Sequence, residues 1–192
     1  MGYHRAGFEV VGVDIKPQPK YPFEFHQADA LIFPLEGFDA IHASPPCQFA
    51  TKAAQQWRNA GRKYPDLLTP TRARLKALGT PYVIENVPGA PMEDPIMLNG
   101  AMFGLQVKRD RLFEANWPMP EFLLPTQVPP TKMGRPFSHR RDGTFWPVGH
   151  FSGVKEAQEK MGIDWMGQKD LAQAIPPAYT EYIGKYLMEV LT

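Results

Sequence analysis

Phe38-Asp-Ala-Ile-His-Ala-Ser-Pro-Pro-Cys-Gln48 decides how the rest of this chain is read. Its first half is a short apolar run of strand type. Pro45 and Pro46 then fix the backbone and remove two ladder donors, so the strand ends in a rigid turn. That turn presents Cys47, the only cysteine in the protein. A lone thiol at the carboxyl end of a strand is well placed to be a nucleophile. A free cysteine is also commonly a small buried hydrophobe, and position alone leaves both readings open.

Upstream, residues 1–7 read as the end of a helix closed by Gly7. Residues 8–15 read as a buried strand of parallel type with Asp14 at its end, and residues 25–31 as a second short segment with Asp29 in a similar loop. In open α/β sheets ligands bind beyond the carboxyl ends of strands, where a carboxylate suits a ribose diol. Each acid alone also suits a turn or a helix cap.

Downstream of Cys47, residues 49–63 are polar and basic, and read as a loop that closes over a substrate. The pattern predicts a helix over 67–78, with Thr69-Pro70 near its start and Gly79 after its end. Residues 81–87 read as another buried strand, interrupted by Glu85-Asn86. A carboxylate in such a strand is costly unless it has a partner or a chemical role, and this singles out Glu85. Residues 95–113 read as a helix or turn followed by a strand around Arg111. Arg109 and Arg111 alternate, which on a strand aims both guanidiniums at one anion. Residues 117–147 are rich in proline and glycine, with Arg135, His139, Arg140 and Arg141 among Phe137, Phe145 and Trp146. Such interleaving suits bases and phosphates, and equally a surface insertion. Helices are predicted over 153–161, from 169, and over 178–191, the last two separated by Ile175-Pro176-Pro177. Strands alternating with helices argue for an α/β fold with a mostly parallel sheet.

Composition sets the outer bounds. A length of 192 residues with 43% hydrophobic content suffices for one domain with a real core. Net charge is +1, so there is no bulk electrostatic signature of nucleic acid, but the bases are uneven. Residues 52–74 carry six Lys or Arg against one acid, and residues 132–141 carry four against none. Either run suits a phosphate-lined groove or a solvated face. One cysteine excludes an internal disulfide and a multi-cysteine zinc site and fits a reducing cytoplasm. No apolar run approaches membrane-spanning length, and no metal site is expected.

Taken in order, these motifs resemble those of the DNA cytosine-C5 methyltransferases, in the small form carried by bacteriophages. Pro45-Pro46-Cys47-Gln48 matches the family's nucleophile motif and Ile84-Glu85-Asn86-Val87 its glutamate-asparagine-valine motif. Lys108-Arg109-Asp110-Arg111 is similar to the paired-arginine motif, and Ala172-Gln-Ala-Ile-Pro-Pro-Ala178 to the last one, which packs beside the cofactor. The resemblance implies a class I S-adenosyl-L-methionine-dependent, Rossmann-like sheet with helices on both faces. It implies Cys47 as the nucleophile toward cytosine C6, Glu85 as general acid and base-binding residue, and Arg109 and Arg111 as charge stabilisers. Asp14, Ile15, Asp29, Ala30, Pro45, Gln173 and Ala174 would hold S-adenosyl-L-methionine, and Pro46, Gln48, Asn86 and Val87 the substrate. The substrate would be double-stranded DNA with its target cytosine flipped out. Protection from host restriction is the purpose this suggests.

The resemblance also implies a catalytic core over 1–116, a short proline-rich insertion over 117–165 in the target-recognition position, and a segment over 166–192 returning to the core. A first strand and a glycine-rich loop expected before residue 1 are missing. In the family that strand is central, and its loss would leave two rows of backbone groups unpaired. Three expectations follow: a start internal to a longer gene, which is preferred; a second chain supplying the strand; or an inactive homologue acting as a nucleic-acid-binding or partner protein. Val107 stands where the family usually has glutamine, and Ala172-Gln173 where it has glycine-asparagine. Amino-methyltransferases share the serine-proline-proline of residues 44–46 but carry an aromatic residue in place of Cys47. Folate-dependent pyrimidine enzymes share the cysteine addition but not the strand-end acids.

Overall fold

The strands divide into two sheets. A computed structural model describes residues 1–51, 54–119, 147 and 151–192. Within them the order is α1 (Gly2–Arg5), β1 (Val11–Asp14), β2 (Glu24–Gln27), β3 (Ile41–Ala43), α2 (Gln55–Asn59) and α3 (Leu68–Leu78). There follow β4 (Tyr82–Asn86), β5 (Ile96–Leu98), β6 (Arg111–Ala115), α4 (Val154–Met161), α5 (Gln168–Leu171) and α6 (Pro177–Leu191). The pair β1-β2 is parallel and forms one sheet, while β3-β4-β6-β5 form the other. In the second sheet β3 and β4 are parallel, and β6 runs antiparallel to both its neighbours. The molecule is thus mixed α/β with a mixed sheet, where the sequence pattern predicts a mostly parallel one. The difference arises because β5 is only three residues long, inside a segment that reads as helix or turn. Its return strand β6 follows a connection whose helix is a single 3-10 turn over Gly100–Phe103, with no α-helix to carry the chain back to a parallel start.

β4 is buried along its whole length and its side chains alternate between two cores. Val83 packs with Leu98, Phe113 and the α6 residues Tyr179, Ile183 and Leu187. Tyr82 and Ile84 pack on the other face with Leu68 and Leu75 of α3. A third cluster gathers Val107, Phe151, Ala157, Met161 and Leu171, joining α4 and α5 to the lead-in of β6. α3 stops where the sequence predicts, because Gly79 takes the left-handed conformation at φ 77 and its N–H bonds the Leu75 carbonyl. At its start, Asp66 Oδ1 accepts from the Leu68 and Thr69 amides at 2.9 and 3.1 Å.

α1 seats on α6 through paired glycines. A Cβ on Gly2 would stand 2.0 Å from Thr180 Oγ1, and one on Gly184 would stand 2.8 Å from Ala6 Cβ. The β1-β2 sheet is only half-buried at β1 and pairs with no further strand among the described residues. Side chains join it to the rest: Arg74 of α3 donates to the Ala30 carbonyl at 2.6 Å and to the Phe33 carbonyl. The predicted insertion falls largely on residues 120–146 and 148–150, so Arg135, Phe137, His139, Arg140, Arg141, Phe145 and Trp146 lie outside the described residues. Among the described residues no helix is long and apolar enough to cross a membrane.

Candidate functional site

The site forms where β3, β4 and β6 meet. Glu85 is opposite Phe113 in the antiparallel β4-β6 register, and Arg111 lies two residues from Phe113, on the same face of β6. That diagonal brings Arg111 Nε to 2.8 Å from Glu85 Oε1, with both side chains about nine-tenths buried. β3 is parallel to β4, so the turn after β3 opens at the same end of the sheet as Glu85. Asn86 fastens it there: its Nδ2 donates to the Pro45 carbonyl at 3.1 Å while its Oδ1 accepts from the Val87 amide. Asn86 is thereby a structural clasp for the turn that carries Cys47, and Pro45 spends its carbonyl on it.

Cys47 is half-buried and free. Burial pushes its thiol above the ordinary range, and the charges of Arg111 and Arg109 pull it back down while Glu85 opposes them. The same two arginines recur around Glu85. Burial pushes its carboxyl up, against Arg111, a hydrogen bond from Ser44 and Arg109. A thiol, a carboxyl inclined to keep its proton and two guanidiniums therefore share one electrostatic environment, although they come from residues 47, 85, 109 and 111.

The two arginines do different jobs. β6 begins only at Arg111, so Arg109 precedes the strand and does not share its face. The guanidinium of Arg109 turns away to the main chain, donating to the Ala174, Pro147 and Ala172 carbonyls at 2.8, 3.0 and 2.7 Å. It is 2% exposed, and burial lowers it to about 9. Arg109 is thus a pin between β6 and the α5–α6 connection, and contributes charge from behind; Arg111 alone reaches Glu85. Tyr179 of α6 closes the same seam, its hydroxyl donating to the Arg109 carbonyl.

After Cys47 the expected loop is a turn followed by α2. The Cys47 carbonyl accepts from the Ala50 and Thr51 amides, and Arg58 of α2 donates to the Gln48 and Thr51 carbonyls at 2.6 and 2.9 Å. Trp57 on the same helix is 53% exposed.

Asp14 and Asp29 occupy corresponding places at the ends of the paired strands β1 and β2. Asp14 accepts from the Lys16 amide and from Gln18 Nε2, and Asp29 Oδ1 accepts from the Leu31 amide. Each acid therefore does the turn-forming work that the sequence left as its other reading. Between them Ile15 is 66% exposed, an apolar side chain with no apolar cover. Ala30 and Ala174 use their carbonyls on Arg74 and Arg109, and Gln173 is exposed on the α5–α6 connection.

Three residues around the site escaped the sequence. Ser44 and His42, two positions apart in the opening stretch, carry a hydrogen-bond path from Glu85 to Tyr3 of α1. A histidine inside the apolar run Ala-Ile-His-Ala was the one available signal. A cleft of about 270 Å3 lies on the α3 side, lined by Lys76, Tyr82, Glu93, Asp94, Glu114 and Asn116, and includes none of the candidate site residues. Its Glu93 and Glu114 carboxylates are already paired with Arg72 and Lys76. No protein-family model and no curated protein matches this chain.

Proposed function

We propose that this protein is a DNA cytosine-C5 methyltransferase of the class I S-adenosyl-L-methionine-dependent fold. The observation that carries the reading is the meeting of Cys47, Glu85 and Arg111 around one partly buried point. Cytosine C5 is a weak nucleophile until sulfur adds to C6. The Cys47 thiolate adds there and the displaced electron pair moves toward C5 and N3, splitting one hard step into easier ones. Glu85, whose burial favours the protonated form, donates to N3 as that charge develops and holds the exocyclic amine. Arg111 stabilises charge at the base carbonyl and steadies the thiolate before attack. Once C5 has accepted a methyl group, loss of its proton to a base and expulsion of the thiolate restore the aromatic ring. The free thiol lies above the ordinary range, so its proton leaves only as substrate and arginine charge gather around it.

S-adenosyl-L-methionine supplies an electrophilic methyl group when bound. The described residues fit its adenosine half: carboxylates at two adjacent strand ends suit a ribose diol and an adenine amine, and exposed Ile15 suits a purine face. A carboxylate retains acceptor sites beyond the turn contacts that Asp14 and Asp29 make.

The test is covalent trapping. A pool of DNA duplexes carrying 5-fluorocytosine, given S-adenosyl-L-methionine, is expected to yield a denaturation-resistant adduct that Cys47→Ala does not form. The absence of an adduct with the unaltered protein overturns the reading. A second reading, a nucleic-acid-binding or partner protein without methyl transfer, draws on the break between the sheet bearing Asp14 and the sheet bearing Cys47. DNA binding with no heat of S-adenosyl-L-methionine binding in calorimetry would favour it.

A further inference from the structure

His42 sits in the middle of β3 and takes no part in the chemistry above, yet both of its ring nitrogens are engaged. Nδ1 lies 2.8 Å from the Tyr3 hydroxyl and Nε2 lies 3.1 Å from Ser44 Oγ. Ala43 pairs with Ile84 in the parallel β3-β4 register, so Ser44 comes next to Glu85 on the same face and its hydroxyl supports the carboxylate, which in turn meets Arg111. Proton directions follow one from another. The Ser44 contact favours the carboxylate over the acid, which is the sign of a hydroxyl giving its single O–H to Glu85. Ser44 Oγ is then the acceptor for His42 Nε2–H. Burial holds His42 down to about 4, so near neutral pH it carries one N–H and Nδ1 keeps a lone pair. Tyr3, whose ionisation is suppressed by burial, donates its O–H to that lone pair.

We propose that His42, fixed as the Nε2–H tautomer by Tyr3, is a positioning residue that acts through Ser44 to orient Glu85 and set its proton affinity. Every donor in the series Tyr3, His42, Ser44 points toward Glu85, and polarised series of this kind strengthen their last bond. Its effect opposes burial: it favours the carboxylate and lowers the point at which Glu85 exchanges a proton. The other groups facing Glu85 are Arg111 at the start of β6, Arg109 before it and Cys47 in the turn after β3. Around His42 they are Tyr3 and Ser44, and its neighbour across the β3-β4 ladder is apolar Val83. One result is that α1, remote in sequence, sets the acid of the site. The use made of the Glu85 proton rests on the function proposed above; the hydrogen-bond series does not.

The experiment is a carbon-13 titration of glutamate carboxyls in the full free protein, without DNA or S-adenosyl-L-methionine, with Glu85 assigned by loss of its signal in Glu85→Gln. Ser44→Ala is expected to raise the Glu85 midpoint by about one pH unit, and His42→Phe by about half as much. His42→Gln, which keeps a donor near the Nε2 position, is expected to restore most of the shift. Tyr3→Phe removes one hydroxyl and is expected to give a small rise in the same direction. Nitrogen-15 shifts are expected to show His42 neutral with its proton on Nε2 at pH 7. A merely structural histidine would lower the melting temperature in these variants and leave the Glu85 midpoint in place, and that result overturns the proposal. So does a proton on Nδ1, or a shift in Ser44→Ala with none in His42→Phe. Because no catalysis is read, a failure here is separate from a failure of covalent trapping.

Discussion

Two buried carboxylates stand on neighbouring strands, Glu85 on β4 and Glu114 on β6, and face opposite sides of the sheet. Glu114 is 2% exposed and fully satisfied: Arg72 grips it with two donors, Nε and NH2, each at 2.7 Å, and the Glu93 amide adds a third at 2.8 Å. Glu85 is 9% exposed, has one close guanidinium nitrogen and a serine hydroxyl, and burial still pushes its carboxyl up. A bidentate, desolvated pair with a third donor on the carboxylate is a fastener. A carboxyl whose partners fall short of its burial is poised to exchange a proton. The contrast separates structural from chemical acids in one sheet, with no appeal to motif.

The largest effect is expected from Glu114→Ala, which strands Arg72 and loses about 3–5 kcal/mol of unfolding free energy in urea titrations. The fraction still folded should trap 5-fluorocytosine normally. Glu85→Gln should do the reverse. Trapping slows about 100-fold or more, while the melting temperature hardly moves because the amide oxygen still accepts from Arg111. A raised carboxyl contributes stability that is present in acid and lost as pH rises through its shifted value. Glu85→Gln should therefore gain on the unaltered protein as pH climbs above the ordinary carboxyl range, as melting curves would show.

Histidine 42 supplies the opposite sign. Its folded value is depressed from 6.5 to about 4, so its contribution is complete above pH 6.5 and is lost as pH falls toward 4. The loss should be about 2–3 kcal/mol, absent in His42→Phe, in urea titrations at a series of pH values. The smallest effect is reserved for Lys76→Met. Lys76 meets Glu93 at 2.6 Å on the Glu114 side, but both are solvent-exposed, so the melting temperature should not change.

Much of the fold was legible from local chemistry. Gly79 ends a helix where a left-handed residue is needed, and Pro176-Pro177 marks the start of α6. The convergence of Cys47 and Glu85 was also legible, since strand ends in an α/β sheet open together. What escaped the reading depends on pairing across distance. β5 is too short to show a period, and with it went the antiparallel sense of β6. Alternation implied that Arg109 and Arg111 act together, but the strand begins two residues too late for Arg109, and the carbonyls of Pro147, Ala172 and Ala174 claim it. The partners Arg72 with Glu114 and Tyr3 with His42 meet only after folding, and no spacing in the sequence announces them.

The glycine contact between α1 and α6 has a consequence for synthesis. Gly2 precedes its seat at Thr180 by about ten to forty seconds at ordinary elongation rates. Until then Tyr3 has no platform from which to reach His42. The sheet is able to assemble during translation, but the acid of the site acquires its support only after α6 has emerged.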